Sequence, residues 1–304
     1  MTSSSRDLML FIGVTTGGSS IMRLFPIWSE VLGLHAQIEG RDLEIGGPPE
    51  IYRSVVDEIR GSDELRGALV TTHKMDIFRH AHDMFEDLDK HARLCREVSS
   101  ISKRGSRLVA HAKDPITAGR ALERILGDRS MPSDVLCLGA GGAGTAITVY
   151  LLGLPNRPRR IVVTDRSEDR VNHLRAVHSE MGVSGGIEYR VTQGAADHDV
   201  LLGSMGAGSL IVNATGMGKD TPGSPLGDDA EFPEKAIVWE LNYRGELDFM
   251  KQAQRNGQAG GLELHDGWVY FLYGWAEVMA EVFDFSLSDA RFETLATAAS
   301  SLRP

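Results

Sequence analysis

Residues 134–152, DVLCLGAGGAGTAITVYLL, constrain the chain more than any other stretch. A short apolar run, a glycine-rich turn and a helix-length apolar segment follow one another there. This reads as a buried strand that enters a tight turn and leaves it as a helix. Gly139, Gly141 and Gly144 stand in the spacing G-x-G-x-x-G, with Gly142 inside the turn. The first glycine permits the turn, the second lets the backbone approach a pyrophosphate, and the third lets helix and strand pack closely. The phosphates then lie at the helix N-terminus. A glycine turn can also be a loop that binds nothing, but a clean strand in front of it favours a dinucleotide site.

The rest of the chain extends that pattern. Strand candidates are Leu8–Val14, Ala36–Asp42, Gly67–Thr71, Val135–Leu138, Ile161–Thr164, Ile187–Val191, Leu210–Asn213, Ile237–Leu241 and Ala259–Leu264. Helix-length segments separate them. In Glu168 to Met181, residues Val171, Leu174, Val177 and Met181 share one face at the helical period. Such alternation implies the α/β class, with parallel sheets buried under helices on both faces. A length of 304 residues suggests two domains, and DRSMPS, Asp128 to Ser133, reads as a turn or linker between units.

Composition removes several functions. Lys+Arg 32 against Asp+Glu 42 gives a formal charge of −10 without long single-sign runs, so no basic stripe offers itself to nucleic acid. Cys95 and Cys137 make no disulfide framework, and Cys137, inside the glycine-loop strand, reads as buried and inert. No Cys/His cluster has metal-ligand spacing, so no metal is expected. MTSSSRD runs straight into a strand without a signal-peptide core. The longest apolar stretch, Trp268 to Phe283, carries Glu277 and Glu281 and is too short for a bilayer. A cytoplasmic protein acting on a small molecule, away from nucleic acid and membrane, is the expectation.

The end of the strand after the glycine loop should choose the cofactor. Asp165 lies where an acidic side chain bonds the ribose 2′-OH of NAD. Arg166, Ser167 and Arg170 follow it, and two guanidiniums with a hydroxyl can clamp the 2′-phosphate of NADP. They could equally decorate a solvated helix start. The balance leans to NADP over NAD.

Chemistry comes from elsewhere. Val70-Thr71-Thr72-His73-Lys74 ends a strand, and Asp114 lies in a turn before Pro115 and a helix. A lysine beside a carboxylate can give a proton to a carbonyl oxygen as hydride arrives, and take it back in reverse. Taken singly, both would be ordinary surface charges. In order along the chain come a glycine/serine turn after the first strand, the VT…K strand end, the Asp114 turn, the glycine loop, Asn213-Ala214-Thr215-Gly216-Met217-Gly218, Leu241-Asn242-Tyr243, and Asp266-Gly267 before an aromatic helix. Together these resemble the shikimate dehydrogenase family over nearly the whole length. The resemblance implies a discontinuous substrate-binding and catalytic domain, 1–115 and 267–304, and a Rossmann NAD(P)-binding domain, 116–266. It implies Lys74 and Asp114 as the catalytic pair, and Ser19, Thr71, Ser99 and Tyr243 as substrate ligands. Asn213, Thr215 and Met217 would run beneath the nicotinamide, and the state would be a monomer or homodimer.

The chain also departs from that family. The pocket's Ser-x-Ser becomes Ser19 and Ile21, and VT-x-P-x-K loses its proline and one position. Two pocket asparagines become Ser99 and Ala112, and a late glutamine becomes Gly274. Each lost partner to a substrate hydroxyl costs on the order of 1–3 kcal/mol. Arg23, His73, His111 and Lys113 are either replacements or surface side chains, and His111 sits on a strand where alternate residues face away. The aromatic group Trp268, Tyr270, Phe271, Tyr273 and Trp275 reads as core packing. The expected activity interconverts a secondary alcohol and a ketone on a small polyhydroxylated ring. Alternatives are a true shikimate dehydrogenase, a quinate or aminoshikimate type, and a non-catalytic nucleotide sensor.

Overall fold

The computed structural model describes residues 6–183, 185–219, 221–257 and 260–303. The Ser-rich start and Ala259, the first residue of an expected strand, lie outside them. The chain divides into two compact units, 1–113 with 272–303, and 114–271.

The first unit holds a six-stranded sheet. Its strands are β1 Asp7–Gly13, β2 Ala36–Asp42, β3 Leu65–Val70, β4 Asp87–Leu88, β5 Ser100–Arg104 and β6 Arg107–His111, in the order β2-β1-β3-β5-β6-β4. β1 is buried from Met9 to Gly13, as a continuous apolar run should be, whereas edge strand β2 is half-exposed. The helix Pro49–Gly61 turns Tyr52, Val55, Val56 and Ile59 toward Leu10, Ile12 and Ala68. Elsewhere in the unit, Trp28 Nε1 donates to the Leu295 carbonyl at 2.8 Å, and the Trp275 ring meets Phe11 edge-on at 5.0 Å. The sheet is not wholly parallel: β5 runs antiparallel to both β3 and β6. The hairpin SISKR-GS-RLVAH was not legible as strands, because its inward positions include Ser100, Ser102 and His111.

In the second unit all six strands are parallel: β7 Asp134–Leu138, β8 Arg160–Asp165, β9 Ile187–Val191, β10 Leu210–Asn213, β11 Ile237–Glu240 and β12 Glu263–His265. Their order is β12-β11-β10-β7-β8-β9. Strand order therefore reverses beside β7, the position where open α/β sheets hold their ligands. Glu168–Glu180 forms the expected helix, with Val171, Leu174 and Val177 buried.

The helix Asp114–Leu126 packs on Gly142–Gly153, and Gly119 lets the Tyr150 ring lie against its backbone. That whole helix therefore groups with the second unit. DRSMPS becomes a loop inside this unit instead of a linker between units, and Asp114 is the first residue of a helix instead of a turn residue. No helix among the described residues is long and apolar enough to cross a membrane.

Candidate active site and nucleotide cavity

The three motif glycines do three different things. Gly139 takes φ +108° directly after β7, and a Cβ there would stand 2.7 Å from the Ala214 carbonyl oxygen. Gly144 sits on the Gly139 carbonyl so closely that no side chain fits. Around Gly141, by contrast, nothing lies within 4 Å of where a Cβ would project. That free space belongs to a cavity of about 240 Å³. The helix Gly142–Gly153 begins beside it with no acidic residue in its first turn, so its amide end carries unopposed positive potential. Cys137, beneath the loop, is fully buried, and burial pushes its thiol up to about 12.

Asp165, Arg166 and Arg170 line the same cavity. The Asp165 carboxylate is buried and already engaged. Its Oδ2 accepts the Ala140 N–H and its Oδ1 the Ser167 N–H, both at 2.9 Å. It ties the end of β8 to the glycine loop. Arg170 lies 3.8 Å from it with an exposed guanidinium, and Ser167 caps the following helix by accepting the Arg170 N–H at 3.3 Å. The opposite wall is Ala214, Thr215 and Met217, which hang on the fully buried Asn213.

Sequence reasoning missed His198 and Glu240 here, and named Asn242 only within the Leu241-Asn242-Tyr243 segment. His198 also lines the cavity. Its Nδ1 lies 2.8 Å from the Pro225 carbonyl, which can only accept, so Nδ1 carries the proton. Nε2 lies 3.1 and 2.9 Å from the Thr164 and Thr192 hydroxyls. Glu240 and Asn242, at the end of β11, brace the Asn213 segment. A carboxylate closing an otherwise apolar strand, two residues before an asparagine, was the available signal.

In the first unit, Thr71, Lys74 and Ser99 come together at the end of the sheet where β3 ends and β5 begins, the Lys74 N–H donating to the Thr71 carbonyl at 3.3 Å, while Ser19 lies in the turn after β1. Gly13 makes room for Thr71: a Cβ on it would meet Thr71 Oγ1 at 2.9 Å. Ser19 is half-buried at a helix start, where its side chain makes no capping bond. Lys74 opens the helix Lys74–Ala81, and its carbonyl accepts the Val98 N–H at 3.0 Å. Ser99 is oriented otherwise than expected. Its buried hydroxyl accepts the Lys113 N–H at 2.7 Å and donates to the His111 carbonyl, so it ties the sheet end together.

His73, His111 and Lys113 are buried; of the four suggested replacements only Arg23 is a surface side chain. His73 Nε2 bonds the Leu43 carbonyl at 3.0 Å. Lys113 Nζ pairs with Glu281, and His111, bonded to Ser102 Oγ at 2.9 Å, stands between Asp89 and Glu281. Burial pushes the Asp89 carboxyl up, but His111 and the Ala92 and Ala112 amides outweigh it and hold it below its ordinary value. The aromatic group divides. Tyr273 and Trp275 enter the first unit's core, while Trp268 and Phe271 gather round Tyr243, with Phe271 stacked on it at 4.5 Å.

The same arrangement is known elsewhere. No protein-family model matches the chain. A shikimate dehydrogenase (NADP(+)) of Symbiobacterium thermophilum is 27% identical over 236 residues, 74% of this chain and 72% of that one. Its likeness to shikimate dehydrogenases supports that superfamily. Solved structures share the fold. A shikimate dehydrogenase in complex with NADP+ superposes with a TM-score of 0.77 over 100% of this chain and 98% of that one, at 19% identity. The quinate dehydrogenase of Corynebacterium glutamicum in complex with NAD gives 0.76 over 97% and 99%, at 17%. At identities this low, these structures show a shared fold.

Proposed function

We propose that the chain is an NADP-preferring oxidoreductase that interconverts a secondary alcohol and a ketone on a small polyhydroxylated ring. The observation that carries this reading is the cavity beside Gly141. A side chain there would fill space that the motif leaves open, and two arginines flank it. A phosphate-bearing nucleotide fits that donor set. When bound, the nicotinamide cofactor supplies hydride transfer. The helix end and the arginines hold its phosphates, and Lys74 gives or takes the proton at the reacting oxygen. Asp114 orients that lysine and bonds a neighbouring hydroxyl, while Ser19, Thr71 and Tyr243 hold the substrate.

The substrate we favour is one other than shikimate. Ile21 and Ala112 are fully buried apolar side chains, so two polar groups expected for shikimate are absent, and Ser99, in place of a third, is engaged by backbone. The use of NAD on a quinate-like ring is the alternative, which Asp165 at the cavity and the quinate dehydrogenase likeness support. We place the protein in the cytoplasm, as a monomer or homodimer.

The test titrates the purified protein with NADPH and NADH, with and without shikimate, and then screens cyclitols and hydroxy acids for turnover. Lys74→Ala should lower kcat by a hundredfold or more, in the range of general acid–base catalysis, with cofactor affinity unchanged. Turnover that survives the substitution sinks the assignment.

A further inference from the structure

β11 ends in a carboxyl group that the proposed reaction does not use. Glu240 is wholly inaccessible to solvent. Its Oε2 accepts Asn213 Nδ2–H at 2.7 Å and its Oε1 accepts the Asn242 N–H at 2.8 Å. From these two partners the bonding closes on itself. Asn213 Oδ1 accepts the Thr215 amide and hydroxyl at 3.1 and 2.6 Å, and Thr215 Oγ1 accepts the Met217 N–H at 3.2 Å. The Met217 carbonyl then accepts Asn242 Nδ2–H at 2.9 Å. Glu240, Asn213, Thr215, Met217 and Asn242 thus form a closed ring, and Thr215 and Met217 are also cavity wall.

We propose that Glu240 is a positioning residue of the nucleotide site: its ionised carboxylate holds this ring closed, fixing the Thr215–Met217 wall, and protonation opens it. The proposal rests on reading the cavity as the cofactor site. The groups that bond the carboxylate, the Asn213 side chain and the backbone and side chain of Asn242, are all N–H donors. A protonated carboxyl turns one oxygen into a donor that faces a donor, so one link of the ring is lost. Burial favours that protonated form most and brings the carboxyl to about 7, with the Asp266 charge acting the same way against the Asn242 and Asn213 bonds. From β10 the facing residue is the neutral Asn213. On β12, His265 stands opposite Trp239 and is paired with Glu263 at 2.6 Å.

If only the closed ring binds well, apparent affinity falls with the ionised fraction, about tenfold between pH 8 and pH 6. The experiment titrates wild type, Glu240→Gln and Glu240→Asp with NADH, which lacks a 2′-phosphate titrating in that range, from pH 5.5 to 8.5. Amide hydrogen exchange over residues 213–218 is followed in the cofactor-free proteins. Wild type should show the tenfold loss, with protection of 213–218 falling in parallel. Glu240→Gln should be pH-independent at the weaker, low-pH affinity, and Glu240→Asp should keep a pH dependence. A Glu240→Gln protein with wild-type affinity and the wild-type profile overturns the proposal. If wild type binds no cofactor while exchange still follows Glu240, the ring stands and the functional reading fails.

Discussion

Glu240 also sets a stability prediction whose sign is opposite to that of an ordinary buried hydrogen-bonding group. Its carboxyl ionises near 4.5 when free and near 7 in the fold, chiefly because burial penalises the charge. The native state therefore binds more protons than the unfolded chain across that interval. Stability is greatest below about 4.5 and declines as pH rises through 7. A displacement of that size is worth about 3 kcal/mol between the two forms. Glutamine resembles the protonated acid at every pH. Glu240→Gln should therefore match wild type near pH 5 and exceed it at pH 8.5 by up to about 3 kcal/mol, a Tm rise of up to roughly 6–12 °C for a chain of this size class. Taking the difference between two proteins cancels other titrations, such as that of His178, which burial holds down at about 4. Thermal unfolding by circular dichroism at the two pH values is sufficient. A variant that melts below wild type at pH 8.5, or differs equally at both pH values, refutes the reasoning.

Other expectations concern the cavity and its surroundings. Gly141→Val should leave Tm unchanged and abolish NADPH binding, because its side chain enters open space. Gly144→Ala should lower Tm, at a cost of about 1–3 kcal/mol, because it strikes the Gly139 carbonyl. Arg166→Ala with Arg170→Ala should weaken NADPH by about tenfold or more relative to NADH, through loss of charge-assisted bonds to the 2′-phosphate; an unchanged ratio in calorimetry removes the clamp. Cys137 should resist iodoacetamide at pH 8 until the second unit unfolds, since its thiol ionises near 12, as mass spectrometry of alkylated peptides will reveal.

The parts of the fold that sequence made legible are those where local chemistry and burial agree. β7, its glycine turn and the helix after it use residues that suit each piece by themselves, so periodicity and spacing suffice. β5 and β6 escaped because Lys103, Arg104 and Arg107 dilute the apolar signal, and because Ser100, Ser102 and His111 face inward as a polar group. In the candidate site, residue type was readable and orientation was not. Ser99 stands where a ligand-binding side chain was expected, yet its hydroxyl turns to Lys113 and His111. Sequence left Lys113 and His73 open between pocket replacements and surface side chains, because only the folded chain supplies Glu281 and the Leu43 carbonyl as their partners. Glu240 was passed over for the same reason, since a strand-ending carboxylate gains meaning only when Asn213 arrives on the neighbouring strand.

The double engagement of Asp165 bears on how coenzyme preference can evolve here. Because one carboxylate braces both Ala140 and Ser167, altering it to retune ribose recognition would also slacken the phosphate-binding turn. Arg166 and Arg170 are exposed, and Arg170 meets the aspartate only through an ion pair at 3.8 Å. If the cavity holds the coenzyme as proposed, drift between the two nicotinamide coenzymes would proceed through these two arginines, while the neighbouring aspartate stays under constraint from the architecture.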